Sequence, residues 1–159
     1  MNDIWGLKYD SKMAGLIAKT GVACCLMHNR ENTDYQNFLA DFMDDMKECV
    51  KIAKDAGIAD DRIILDPGVG FGKTYEMNLE IIDKLEIMKE LGYPVLLGTS
   101  RKSVIGLTLD LPVEEREEGT MVTTVYGVQK GCAFVRAHDV EKNKRTIRMT
   151  RALMREHEV

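Results

Sequence analysis

Little in this sequence would take the chain out of water or onto a polyanion. Its longest uninterrupted apolar run is Val22 to Met27, against the roughly 20 residues a membrane-crossing helix needs, so no segment is expected to enter a membrane. A cationic surplus is missing too. Lys and Arg number 22 against 26 Asp and Glu, a net charge of −4, whereas a general nucleic-acid binder draws its affinity from a basic face. Any anion site must therefore be local. The four cysteines, Cys24, Cys25, Cys49 and Cys132, form no CxxC pair and have no histidine at metal-ligand spacing, so they are expected as reduced thiols acting as small hydrophobes, without a zinc site. The first residues, Met1-Asn2-Asp3-Ile4-Trp5-Gly6, contain neither a basic n-region nor an apolar h-region, and a cytoplasmic location is expected. Only three prolines, with 45% apolar and 30% charged residues, exclude disordered and collagenous chains. At 159 residues one core can bury about two-thirds of the unfolded surface without a disulfide or metal staple. No linker or composition step divides the chain, so residues 1–159 are expected to form one domain.

What the chain does have is alternation. The apolar run Val22 to Met27 is followed by Tyr35 to Ala56, where Phe38, Leu39, Phe42, Met43, Met46, Val50 and Ile52 fall near helical spacing before Gly57, a strand and then a helix. The unit recurs. Arg62 to Asp66 leads to a helix over about Asn78 to Leu91, Tyr93 to Gly98 to helical segments between Lys102 and Lys130, and Ala133 to Arg136 to a helix from Asn143 to Glu156. Ahead of them, Asp10 to Lys19 reads as a helix ended by Gly21. The ten methionines sit mostly in the helical stripes and are expected in the core. Strands apolar on both faces and joined through helices imply a parallel sheet covered by helices, an α/β fold. The strand ends recur about every 36 residues, and eight such units would make a barrel of about 290 residues. Four units with a leading helix, opened by Asn2-Asp3-Ile4 as the tail of a strand, are expected to be half of a (β/α)8 barrel.

Ligands of α/β folds gather at the carboxyl ends of the strands. Here those ends carry Asn2, Met27-His28-Asn29-Arg30, Asp66-Pro67-Gly68-Val69-Gly70-Phe71-Gly72-Lys73, Gly98-Thr99-Ser100-Arg101-Lys102-Ser103 and Arg136-Ala137-His138-Asp139. A carboxylate leaving an apolar strand at Asp66 needs donors: either its own turn supplies them, as Asp commonly arranges, or an N–H pair on a heterocycle does. The glycines after it do not meet a phosphate-loop or dinucleotide spacing; they fit a tight loop that presents Phe71 as an apolar wall. The segment Gly98 to Ser103 runs from a strand into a helix start, where backbone N–H groups and two cations can meet an anion; alternatively Ser100 or Ser103 caps the helix and Arg101 and Lys102 are solvated. Arg136 and His138 alternate after a strand and can form a second anion site, or else Arg136 pairs with Asp139 and His138 with backbone. The basic run Lys142, Lys144, Arg145, Arg148, Arg151 and Arg155 is expected as a solvated face.

These five blocks, in this order and spacing along nearly the whole chain, resemble the dihydropteroate synthases, pterin-binding enzymes that join a pterin diphosphate to p-aminobenzoate in folate biosynthesis. The resemblance implies that Asp66 anchors the pterin with Asn2 as a second contact, that Met27 packs in the pterin slot, and that Lys102 and Arg136 flank the ring. It further implies that Arg136 and His138 hold the diphosphate, that Ser103 and Phe71 receive p-aminobenzoate, and that Lys102, Arg136 and His138 are the catalytic set. Mg²⁺ would assist the departing pyrophosphate, from ligands outside this chain, and sulfonamides would compete with p-aminobenzoate. The family's whole barrel has about four further βα units ahead of the residue matched by Asn2. The resemblance thus implies a chain inactive by itself that pairs as a homodimer, with small molecules rather than nucleic acid or membranes as partners. Two other readings share these residues: a non-catalytic truncated pterin-binding module, and the pterin-binding domain of a methyltetrahydrofolate corrinoid methyltransferase, whose substrate carries no diphosphate to explain the Ser-Arg-Lys-Ser segment or the Arg-x-His pair.

Overall fold

A computed structural model describes residues 1–155. Five short strands, β1 (Asn2–Asp3), β2 (Cys24–Met27), β3 (Ile63–Asp66), β4 (Leu96–Leu97) and β5 (Phe134–Val135), alternate with six α-helices: α1 (Met13–Thr20), α2 (Phe38–Asp55), α3 (Tyr75–Asp83), α4 (Ser103–Leu109), α5 (Glu117–Gln129) and α6 (Val140–Leu153). All strand pairs are parallel. Asn2 lies opposite Cys25 and Met27 opposite Asp66 in the β1–β2–β3 ladder, while Leu97 lies opposite Val135 between β4 and β5. A single parallel bridge, Leu65 to Val95, with the Leu65 N–H donating to the Pro94 carbonyl at 2.9 Å, links the two groups of strands. The strands therefore succeed one another in chain order, and the expected α/β class is the one observed.

Burial explains the local choices. All four β2 residues are buried, which is why that strand reads as a continuous apolar run instead of an alternation. Helix α2 starts where the Asn37 side chain accepts the Ala40 N–H at 3.2 Å and turns Phe38, Phe42, Met43, Met46, Cys49 and Ala53 inward. The helix expected over Asn78 to Leu91 is two elements. Thr74 accepts the Met77 N–H at 3.3 Å and starts α3 early, and after Asp83 the chain tightens into a 3₁₀ helix, Leu85–Leu91. Leu85, Met88 and Leu91 recur every third residue, so the three-residue turn keeps them on one face. Helix α6 also begins before the expected Asn143, because Asp139 accepts the Lys142 N–H at 3.0 Å; its expected end, Glu156, lies outside the described residues.

One expectation needs correction. Met27, Met43, Met46 and Met88 are core residues, but Met1 and Met149 are exposed, since α6 has a solvent face at that position. The basic run is the exposed face that was expected: Lys142 and Arg145 pair with Asp139 and Glu141 on the surface, and Lys144, Arg148 and Arg151 border an open cavity of about 540 Å³ together with Val135, Val140 and Ile147.

Candidate functional site

Strand carboxyl ends converge on Asp66, which is completely buried. One carboxylate oxygen, Oδ1, accepts the Gly68 N–H at 2.8 Å, the turn bond expected of an Asp before Pro-Gly. The other, Oδ2, accepts from Arg136 Nη2 at 2.7 Å, and Arg136 Nη1 donates to Asn2 Oδ1 at 3.1 Å. Ends of β1, β3 and β5 are thereby tied through one guanidinium. Arg136 remains 45% exposed while its partner is fully covered, so the guanidinium is the member of the pair that faces solvent. Asp139, the alternative partner for Arg136, instead caps α6.

Two glycines make this approach possible. A Cβ at Gly98 would lie 2.8 Å from Arg136 Nη2, so the bare backbone is what lets the guanidinium lie across β4. Gly68 has φ +65° and a Cβ there would meet the His28 carbonyl oxygen at 1.9 Å; only glycine allows that turn beside β2.

Lys102 lies on the same side. Its ammonium donates to the Val69 carbonyl and stands 5.0 Å from the centre of the Phe71 ring. Burial lowers its pKa, opposed by attraction to Asp66 and reinforced by Arg136. Met27 is buried at the end of β2, level with Asp66 in the ladder. Asn2, Met27, Asp66, Phe71, Lys102 and Arg136 thus form one neighbourhood.

His138 and Ser103 sit differently. His138 is exposed; its Nδ1 is 2.8 Å from Ser100 Oγ, which also accepts the His138 backbone N–H at 3.1 Å. Ser100 therefore holds the loop after β5 and does not cap a helix. Lys102 occupies the N-cap of α4 with no side-chain bond, so neither serine has the capping role. Ser103 opens α4, exposed, on a separate cavity of about 430 Å³ lined with Gly106, Leu111 and Arg116. No hydrogen bond among the described residues links Ser103 or His138 to Asp66.

A second cluster lies behind the glycine loop and joins residues of two strand-end blocks, His28, Arg30 and Lys73, to Asp45 of α2, a residue the sequence did not single out. Lys73 Nζ donates to the carbonyls of Gly68 and Phe71 at 3.0 and 2.9 Å and lies 2.8 Å from His28 Nδ1. His28 Nε2 is 2.9 Å from Asp45 Oδ2, and Asp45 takes both Nε and Nη2 of Arg30 at 2.6 and 3.1 Å. Burial pushes Lys73 down to about 7 and His28 down to about 4. Burial acts upward on Asp45, but the hydrogen bonds from His28 and Arg30 outweigh it and hold the carboxyl well below its usual range. The sequence signals were a lysine closing the glycine run and the polar His28-Asn29-Arg30 after β2; that they meet each other and Asp45 of α2 is a long-range pairing that no local pattern shows.

Among the described residues no group of three His, Cys, Asp or Glu side chains could cage Mg²⁺; at the strand ends Asp66 is engaged by Gly68 and Arg136, and Asp3 by the Trp5 and Leu7 N–H groups. Among those residues no helix is long and apolar enough to cross a membrane.

Parallel strand ends, a buried carboxylate and two cations beside it form the polar floor of an α/β fold. The chain belongs to the family described as "Pterin binding enzyme", whose pattern matches residues 1–138. It is 62% identical over 156 residues to a dihydropteroate synthase of Clostridium beijerinckii, covering 98% of this chain and 58% of that protein. It is 53% identical over 154 residues to one of Bacillus subtilis, covering 97% and 54%. Its fold matches the crystal structure of dihydropteroate synthase from Clostridium difficile in the presence of pteroic acid, with TM-score 0.94, 46% identity and coverage of 98% and 59%. A Yersinia pestis dihydropteroate synthase with a sulfonamide drug is similar at TM-score 0.92 and 29% identity, covering 98% of this chain and 59% of that one. The chain spans under three-fifths of the length of these relatives.

Proposed function

We propose that this chain supplies the pterin and diphosphate sites of a dihydropteroate synthase, the transferase that condenses a 6-hydroxymethyl-dihydropterin diphosphate with p-aminobenzoate, releasing pyrophosphate. The observation that carries this reading is the fully buried Asp66 whose second oxygen is covered only by a half-exposed arginine. A flat heterocycle with adjacent N–H donors can take that oxygen, and Arg136 is then free to swing toward a polyanion. Asn2 offers a further polar contact at the floor, and Met27 an apolar one.

In this reading Lys102 lies along the ring next to Phe71, and Arg136 and His138 meet the negative charge that grows on the departing pyrophosphate. Donors aimed at developing charge lower a barrier without reorganising at the moment of reaction. The C–O bond to the diphosphate breaks first and leaves the pterin methylene cationic, the aryl amine attacks that carbon, and the amine proton passes to solvent. Ser103 at the start of α4 takes the p-aminobenzoate carboxylate, with Phe71 packed against its ring. Among the described residues no ligand set for Mg²⁺ is present, and no step is assigned to the ion.

The architecture belonging to this reading is half of a (β/α)8 barrel, one domain over residues 1–159, in the cytoplasm. A homodimer is part of it: exposed Leu79, Leu109 and Val122 rim an almost wholly apolar groove between α3, α4 and α5, a surface that pairing would cover. Calorimetric titration of the 159-residue chain with a 6-hydroxymethylpterin and then with pyrophosphate tests the reading. Saturable binding of both, lost in Asp66→Asn for the pterin and in Arg136→Gln for pyrophosphate, is expected; no binding of either would overturn it.

A further inference from the structure

The half-buried Lys73 cluster is not used in the chemistry above, yet its ammonium reaches the backbone of the loop that is. Residues 67–73 carry three groups of the site: the Gly68 N–H on Asp66, the Val69 carbonyl that receives Lys102, and the Phe71 ring. Lys73 takes the carbonyls of Gly68 and Phe71, on either side of Val69-Gly70, and its third hydrogen meets His28 Nδ1. Three acceptors use all three ammonium hydrogens. The loop is thus bracketed by two lysines, Lys102 from the mouth and Lys73 from behind.

Orientation passes outward through the histidine. With Asp45 accepting from Nε2–H, the His28 ring keeps its Nδ1 lone pair for Lys73, and the bidentate Arg30 fixes Asp45 in turn. The Gly68 carbonyl also accepts the Phe71 N–H at 3.0 Å, so the atom that Lys73 grips is the one that closes the turn presenting the aromatic wall. We propose that Lys73, aligned by His28 and Asp45, is a positioning residue that sets the 67–73 loop so that Gly68, Val69 and Phe71 stand in place for a pterin and its amine partner. The proposal rests on the pterin reading for the identity of the ligand and on hydrogen bonding alone for the loop.

Two variants act on opposite ends of the chain of bonds. Lys73→Met keeps the apolar stem and removes every donor; Asp45→Asn leaves Lys73 in place and frees the His28 tautomer. In the 159-residue chain, amide hydrogen exchange at Gly68 and Phe71 should quicken at least tenfold in both variants while α5 keeps its wild-type rates. The ¹⁵N spectrum of the unmutated chain should show His28 as the Nε2–H tautomer, a signature that needs no variant. Unchanged exchange at the two loop amides, an acceleration spread evenly over the chain, or an Nδ1–H tautomer would each overturn the assignment. Titration with 6-hydroxymethylpterin separates the two ideas. If the unmutated chain binds, Lys73→Met should lose at least tenfold in affinity, and an equal affinity overturns the positioning role. If the unmutated chain does not bind, the pterin reading falls while exchange and tautomer still decide the role of Lys73.

Discussion

Arg136 donates to Asp66 across 2.7 Å although 70 positions separate them in the chain. The pair is asymmetric, one member sealed and the other half in water, so its contribution to folding and its contribution to binding separate. A partly exposed ion pair adds little stability, but the carboxylate cannot be replaced as an acceptor for ligand N–H groups. Asp66→Asn should lower pterin affinity by about a hundredfold, about 2.7 kcal/mol, while the urea midpoint falls only slightly because Arg136 returns to solvent and the Gly68 bond survives. Calorimetry and urea melts on the same samples check the split; a collapse of the melt with retained affinity would contradict it.

Gly98 and Gly68 should behave oppositely toward alanine. At Gly98 the clash is with the far end of a flexible arginine, so Gly98→Ala should fold with under about 1 kcal/mol lost and lose at least tenfold in pterin and pyrophosphate affinity as Arg136 is displaced. At Gly68 the clash is with the backbone of His28 and φ is positive. Gly68→Ala should cost about 3 kcal/mol or more, read as a fall in melting temperature before any binding is measured.

Ser100→Ala removes both bonds that hold His138 at the mouth. Pyrophosphate affinity should drop several-fold with pterin affinity unchanged, because Ser100 touches neither Asp66 nor Arg136. An equal drop for both ligands would mean that the strand ends themselves had moved.

Acid should destabilise the chain through the cluster behind the glycine loop. Burial depresses His28 from its ordinary 6.5 to about 4, so the unfolded chain binds a proton that the folded one refuses between those values. Stability is therefore lost as pH falls through that window, on the order of 3 kcal/mol at about 1.4 kcal/mol per unit. Asp45, whose carboxyl is also held low, adds a loss in the same direction below its ordinary 3.8. Lys73, pushed down to about 7 by burial from 10.5, makes stability rise between those two values as its unfolded form continues to hold the proton. Urea midpoints should climb from pH 4.5 to pH 8, and His28→Gln should flatten the lower part of that climb. A flat profile for the unmutated chain would contradict the buried, neutral histidine.

Local pattern reached some elements and not others. The apolar stripe of α2 and the alternation of strand with helix follow from side-chain periodicity, which needs only neighbours in the chain. The break between α3 and the 3₁₀ helix does not, since the spacing of Leu85, Met88 and Leu91 suits either helix and the packing underneath decides. Asp66, Lys102 and Arg136 stood out as polar residues ending apolar strands. Ser100 was legible only as a possible cap, because a hydroxyl near a helix start looks the same whether it bonds its own helix or a histidine 38 residues later.

The sequence by itself determined that parallel strands alternate with covering helices and that polar and cationic side chains crowd the strand ends, because both are written in periods of a few residues. Only the tertiary structure decided which of those side chains meet. It gave Arg136 to Asp66 rather than to Asp139, set Ser103 toward a different cavity, and hydrogen-bonded Lys73 to His28. Such pairings depend on the order and register in which the strands are laid side by side, and on glycines that leave room for a guanidinium or a neighbouring backbone, neither of which is a local property of the chain.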